Sequence, residues 1–156
     1  MVSTADTRID PPRSGASFEL FGSTLTARIT AADTHGDYAL IEYDAPPGLP
    51  GAPTHFHEHT EEYIFVLEGA LNVTVDSKQT TVGPGAGILF PRGVEHSFEN
   101  RSDAPTRFVT LLRPGGFETL LATVAALMAR EDWEPTPEDL AAIIAPYDIV
   151  ITEHAH

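Results

Sequence analysis

Cysteine is absent from this chain of 156 residues. That excludes a disulfide framework, thiolate metal ligands, an iron-sulfur cluster and a cysteine nucleophile, so any chemistry uses nitrogen and oxygen groups. Basic residues are scarce: nine Lys plus Arg stand against twenty-three Asp plus Glu, giving a formal charge of -14. Such a chain repels phosphate backbones and anionic lipid surfaces, so neither nucleic acid nor membrane is an expected partner. Long apolar runs are missing too, with nothing approaching the roughly 20 residues of a membrane span. Residues 1–15 are polar, contain Pro11 and Pro12, and lack the apolar centre of a secretory signal, which gives the expectation of a cytoplasmic protein with a loose N-terminal arm over residues 1–17.

What the chain does contain is the composition of one globular domain, 42% hydrophobic, with Gly and Pro punctuating short apolar stretches. Phe18, Leu20, Leu25, Ala27 and Ile29 alternate with polar neighbours, as strands with one buried face do, and residues 38–44 resume that pattern after the turn-forming residues 33–37. Residues 45–53 hold four prolines and two glycines and must be a loop. Further strands are expected at 62–67, 71–75, 79–82, 88–90, 96–99 and 106–112. Many short strands without alternating helices indicate an all-β sandwich or barrel over residues 18–113.

Beyond Arg113-Pro114-Gly115-Gly116 the period changes. Phe117, Leu120, Leu121, Val124, Leu127 and Met128 form one stripe of a helix. Thr136 as N-cap, Pro137 in the first helical position and Glu138 and Asp139 behind it predict a second helix, with Leu140, Ile143 and Ile144 as its buried face and Pro146 closing it. Residues 114–156 are thus a helical extension, expected to pack on the barrel or on a sister subunit; with the exposed arm, these helices give the expectation of a homodimer.

The chemistry lies between Gly51 and Asn100. His55, His57, Glu62 and His96 are three imidazoles and one carboxylate, donors suited to a first-row metal ion. On an extended strand His55 and His57 point to one side, and the turn residues Gly69, Pro91 and Gly93 let the neighbouring strands return toward the same point. Ile64 and Val66 share the inward parity of Glu62, and Phe98 that of His96, so these three are expected to line a pocket; Tyr63, Phe65 and Leu67 should face outward. His59 sits in a connection, and Glu58, Glu61 and Glu95 read as solvated surface. His154 and His156 would be adventitious binders.

The segments His55-x-His57-x4-Glu62-x6-Gly69 and Gly85-x5-Pro91-x-Gly93-x2-His96-x3-Asn100 resemble the two motifs of the cupin superfamily, over about residues 42–112. One departure is the leading glycine of the first motif, where three residues separate Gly51 from His55 rather than five. The resemblance implies an antiparallel double-stranded β-helix, the jelly-roll cupin barrel, with His55, His57, Glu62 and His96 holding one divalent ion: Ni, Fe, Co, Mn or Cu, or Zn. Among mononuclear members the chain looks most like small quercetin-dioxygenase-like proteins. That implies dioxygen and a flavonol or similar enolisable aromatic as substrates, with Glu62 as catalytic base. Two other readings stay open: a redox-neutral cyclase or isomerase of aromatic polyketide-type metabolism, and a metal-bearing barrel that binds a small molecule without turnover.

Overall fold

Alternation along single strands shows how the barrel forms. In the segment Thr106–Arg113 the even residues are buried and the odd ones face outward, and residues 61–67 keep the same rule, with Ile64 and Val66 fully buried and Tyr63 and Phe65 exposed. A computed structural model describes residues 7–152 of the chain. Its strands are β1 (Ala16–Leu20), β2 (Ser23–Ile29), β3 (Ala39–Ala45), β4 (His55–Phe56), β5 (Glu61–Glu68), β6 (Leu71–Val75), β7 (Lys78–Val82), β8 (Gly87–Phe90), β9 (His96–Glu99), β10 (Thr106–Arg113) and β11 (Val150–Ile151). Two helices, α1 (Phe117–Met128) and α2 (Pro137–Ile144), precede β11.

The strands form two antiparallel sheets, ordered β1-β2-β3-β10-β5-β8 and β11-β4-β9-β6-β7. Neighbours distant in sequence alternate between the sheets, the topology of a jelly roll, as expected. Ile64, Val66, Leu71, Val73, Phe90 and Phe108 fill the space between the sheets at 1% exposure or less. Each such side chain contributes about 1.5–3 kcal/mol by leaving water. A second core gathers Leu25, Ile41 and Leu112 with Phe117 and Leu120 of α1.

Helix α1 is therefore spent on its own barrel. Its N-cap, Gly116, has no side chain to offer, and Glu118 substitutes: its carboxylate accepts from the Gly116 N–H at 2.9 Å and from the Ala31 N–H at 2.6 Å, pinning the helix start to the β2–β3 connection. Helix α2 begins as predicted, with a capping box between Thr136 and Asp139 and Pro137 behind it. Its expected buried face is only half realised. Ile143 and Ile144 lean on the second core while Leu140 is 42% exposed and packs on neither core, and Met128, the last residue of α1, is 44% exposed.

The arm is also tighter than expected over its described part. Arg8 reaches Asp33 at 2.9 Å and the Arg28 carbonyl, while Arg28 bonds the Pro11 carbonyl at 3.1 Å, and β1 starts two residues earlier than the barrel was expected to. Residues 1–6 lie outside the described residues. The prolyl loop after β3 is held by Asn100, wholly buried, whose amide donates to the Pro46 and Ala104 carbonyls. Gly51, the displaced glycine, has φ +73°, and a Cβ there would stand 1.8 Å from the Phe98 carbonyl oxygen, so the loop crosses β9 only because this residue is glycine. Among the described residues no helix is long and apolar enough to cross a membrane.

Candidate metal centre

Three strands and one turn assemble the centre. His55 lies in β4 opposite His96 of β9, and His57 follows directly after β4. Glu62 is the second residue of β5, the first of its inward-facing positions. The Pro91–Gly93 turn is tied down by the Gly93 N–H, which donates to the His57 carbonyl at 2.7 Å and so couples the two histidine-bearing segments. His55, His57, Glu62 and His96 are all buried, and one donor atom from each lies within 4.8 Å of the others. Glu62 Oε2 is 3.3 Å from His96 Nε2 and 3.7 Å from His57 Nε2. Donors bound at about 2.1 Å to one ion stand about 3 Å apart when adjacent and about 4.2 Å apart when opposite, so this spacing matches a shared cation.

Tautomers strengthen the case. The Nδ1 atoms of His55, His57 and His96 each face a main-chain carbonyl, of Pro53 at 2.8 Å, Asp148 at 2.5 Å and Val94 at 2.9 Å. A carbonyl only accepts, so each Nδ1 carries the proton and each Nε2 presents a lone pair inward. The three Nε2 atoms then face the Glu62 carboxylate, His96 Nε2 in hydrogen-bond contact with it at 3.3 Å and the buried His57 Nε2 with no hydrogen-bond partner, each available as a donor to an ion. Of the four groups only the His57 Nε2 atom is buried without a partner, and a divalent cation would engage all four at once. The residues present fit a metal ion.

Acidities follow the same geometry. Burial would raise the Glu62 carboxyl, but the His57 and His96 rings and the Thr110 hydroxyl, 2.8 Å from Oε1, outweigh it and hold the group well below the usual carboxylate range. Burial pushes His55 down to about 4, keeping it neutral. His57 is also opposed by burial, yet Glu62 beside it and its carbonyl partner raise it.

Of the residues expected to line a pocket, Ile64 and Val66 lie within the inter-sheet core, and Phe98 packs edge-on to Phe108 at 5.5 Å. His59 is solvated, its side chain 82% exposed, and Glu58 and Glu95 are exposed. Glu61 stands near Arg92. His154 and His156 fall outside the described residues.

Four contributors were not evident in the sequence. Thr110 donates to Glu62; Phe90 stacks on His96 at 4.1 Å and 9°; Phe117 meets the His57 ring edge-on at 5.0 Å; and Asp148 returns from the far end of the chain. Asp148 acts twice: its carbonyl orients His57, and its carboxylate accepts from the Glu58 and His59 N–H groups at 2.9 and 2.7 Å. Pairing of β11 with β4 holds this strap in place. The inward parity of Thr110, shared with Phe108 and Leu112, was a usable signal; the strap had none, since a two-residue strand leaves no period. Asp148→Ala is expected to fold, and to release metal to a chelator with affinity about tenfold weaker, the low end of outer-shell effects. Competition titration with a chromophoric chelator measures this.

The Cupin_2 family model, a cupin domain, matches residues 41–112. The chain is 30% identical over 88 residues to the tetracenomycin polyketide synthase protein TcmJ of Streptomyces glaucescens, covering 56% of this chain and 54% of that one. It is 29% identical over 113 residues to quercetin 2,3-dioxygenase of Bacillus subtilis, covering 71% of this chain and 33% of that one. Such matches span only about a third to a half of those curated relatives. Among solved structures, the polyketide cyclase RemF of Streptomyces resistomycificus superposes with a TM-score of 0.53 at 29% identity, over 72% of this chain and 78% of RemF.

Proposed function

Because this chain belongs to the cupin superfamily and gathers three imidazoles and a carboxylate in its barrel, we propose that it is a metal-dependent dioxygenase of a flavonol-like, enolisable aromatic. The observation that carries the reading is the set of inward-facing Nε2 atoms around Glu62, each ring fixed through Nδ1 to a main-chain carbonyl, an arrangement that would hold a divalent ion while four protein donors leave further positions open. When bound, that ion supplies Lewis-acid polarisation of a substrate oxygen. Aromatic rings border the donors: Phe90 against His96 and Phe117 against His57, with Tyr147 6.2 Å beyond Phe117. Such walls favour a planar aromatic guest and exclude water.

Glu62 takes the proton at Oε1, the oxygen now engaged by the Thr110 hydroxyl. Contacts that keep Glu62 ionised also make it a weak base, so its substrate must offer an acidic phenolic or enolic hydroxyl rather than an unactivated C–H. Thr110 then holds the carboxyl group in place as it changes charge. Dioxygen is the proposed second substrate, and the proposed setting is the cytoplasm.

A second reading has its own support. The likeness to RemF spans most of that cyclase, whereas the match to the quercetin dioxygenase spans a third of it, which favours redox-neutral ring closure of a polyketide-like substrate. One experiment separates them. Metal-loaded protein is given a panel of flavonols and polyphenolic polyketides in an oxygen-electrode cell, then under strict anaerobiosis. Stoichiometric dioxygen uptake with ring-opened product supports the dioxygenase, anaerobic turnover the cyclase, and binding without turnover refutes both.

A further inference from the structure

The two hydrophobic cores meet at one residue. Tyr43 packs against both the inter-sheet core and the core under α1, and no other side chain among the described residues borders the two. Register explains its place: β3 sets Tyr43 opposite Leu25 of β2 and Phe108 of β10, both buried, so its ring enters the barrel. Phe108 stacks on that ring at 4.7 Å and 11°, and Phe98 meets it edge-on at 6.3 Å, which fixes the direction of the phenol. Leu25, Ile41, Ala45 and Phe108 around it are sealed at 1% exposure or less, yet Tyr43 is only half-buried. With the way through the sheet closed by those neighbours, the open space that touches the ring lies on its interior side.

The hydroxyl is the informative group. A tyrosine hydroxyl drawn into a protein interior ordinarily finds a hydrogen-bond partner, but this one has none among the described residues. Nor is it one of the sealed polar atoms without a partner, which are the hydroxyls of Ser14 and Ser23 and Nε2 of His57. Packing alone would be served as well by phenylalanine. Burial and the charge of Glu62 both push the phenol up, so the oxygen keeps its proton and remains a hydrogen-bond donor.

Glu62 and Tyr43 reach this interior from the strands on either side of β10. Phe108 carries the Tyr43 stack, and Thr110, the next inward position of β10, bonds Glu62 at 2.8 Å. Inward positions along a strand repeat every two residues, about 6.7 Å apart. A proton donor and a carboxylate are thus held about one ring system apart, without a hydrogen bond between them.

We propose that Tyr43 binds the substrate of the Glu62 centre by donating a hydrogen bond to an oxygen on a ring remote from the acidic hydroxyl. The chain then selects polyoxygenated aromatics over those that carry the enolic hydroxyl alone. This assignment rests on the reading of Glu62 as the group that takes the proton of that hydroxyl.

Anaerobic titration of the metal-loaded, full-length protein tests it. The two probes are quercetin and 3-hydroxyflavone, which keeps the enolic hydroxyl and lacks those on the outer rings. Wild type is expected to bind quercetin at least about tenfold more tightly, the effect of one hydrogen bond made in a desolvated site. Tyr43→Phe retains the stack on Phe108, the metal content and the melting temperature, because the lost hydroxyl had no protein partner, and it binds the two flavonols alike. Glu62→Gln weakens both and keeps the preference, so the two residues are separated by what each variant discriminates. A wild type without the preference, or a folded Tyr43→Phe protein that keeps it, removes Tyr43 from the site while the flavonol reading stands. A wild type that binds neither compound overturns that reading and the role of Tyr43 with it.

Discussion

His96→Ala is expected to strip most of the metal from the protein. The ring is 1% exposed, its Nε2 is 3.3 Å from Glu62, and its Nδ1 is satisfied by Val94, so every polar atom of the side chain is committed to the centre. Truncation removes a donor outright. Loss of an outer-shell partner alone costs about 10–100-fold in affinity, and loss of a direct ligand costs more. Structure suffers too: the stacked contact with Phe90 disappears and a cavity opens at the strand that carries the ligand, a destabilisation of about 2–4 kcal/mol. Elemental analysis after gel filtration, with a denaturant melt alongside, separates the two effects. A folded His96→Ala protein that keeps one metal per chain would remove His96 from the centre.

Glu62→Gln isolates chemistry from assembly. The amide preserves size, its carbonyl still accepts from Thr110, and its NH2 group can donate toward the His96 and His57 lone pairs, so the barrel should fold. It has no basic oxygen that can take a proton. Turnover is expected to fall by at least about a thousandfold, within the range that a positioned acid-base group supplies. Initial rates at matched metal content give the measurement, and undiminished turnover would exclude Glu62 as the base. The Gln variant should also bind divalent ions more weakly, because a neutral amide replaces the single anionic donor of the site.

These two side chains were legible in the linear chain because their placement follows from short-range rules. Period-two alternation sets His55 and His57 on one side, and the turn residues after β5 and β8 return their neighbours to the same place. The outward turn of Tyr63 and Phe65 followed from the same parity. Features built from long-range or main-chain contacts were hidden. Asp148 meets His57 through a carbonyl 91 positions away, which no side-chain pattern encodes. Leu140 was misassigned for a different reason: an apolar stripe states what a helix could bury, while the extent of the opposing surface decides what it does bury. Arg8, in a polar segment, and Arg28, a polar position of β2 itself, carry no sequence signal that they fasten the arm to that strand.

The three imidazoles are aimed by the peptide groups of residues 53, 94 and 148 rather than by neighbouring side chains. A peptide oxygen survives any point substitution at its own position. Descendants of this chain can therefore exchange the residues surrounding the nitrogen donors and acquire new guests, while the donors themselves stay aligned. Mutational tolerance of that sort favours diversification of substrate over loss of the centre.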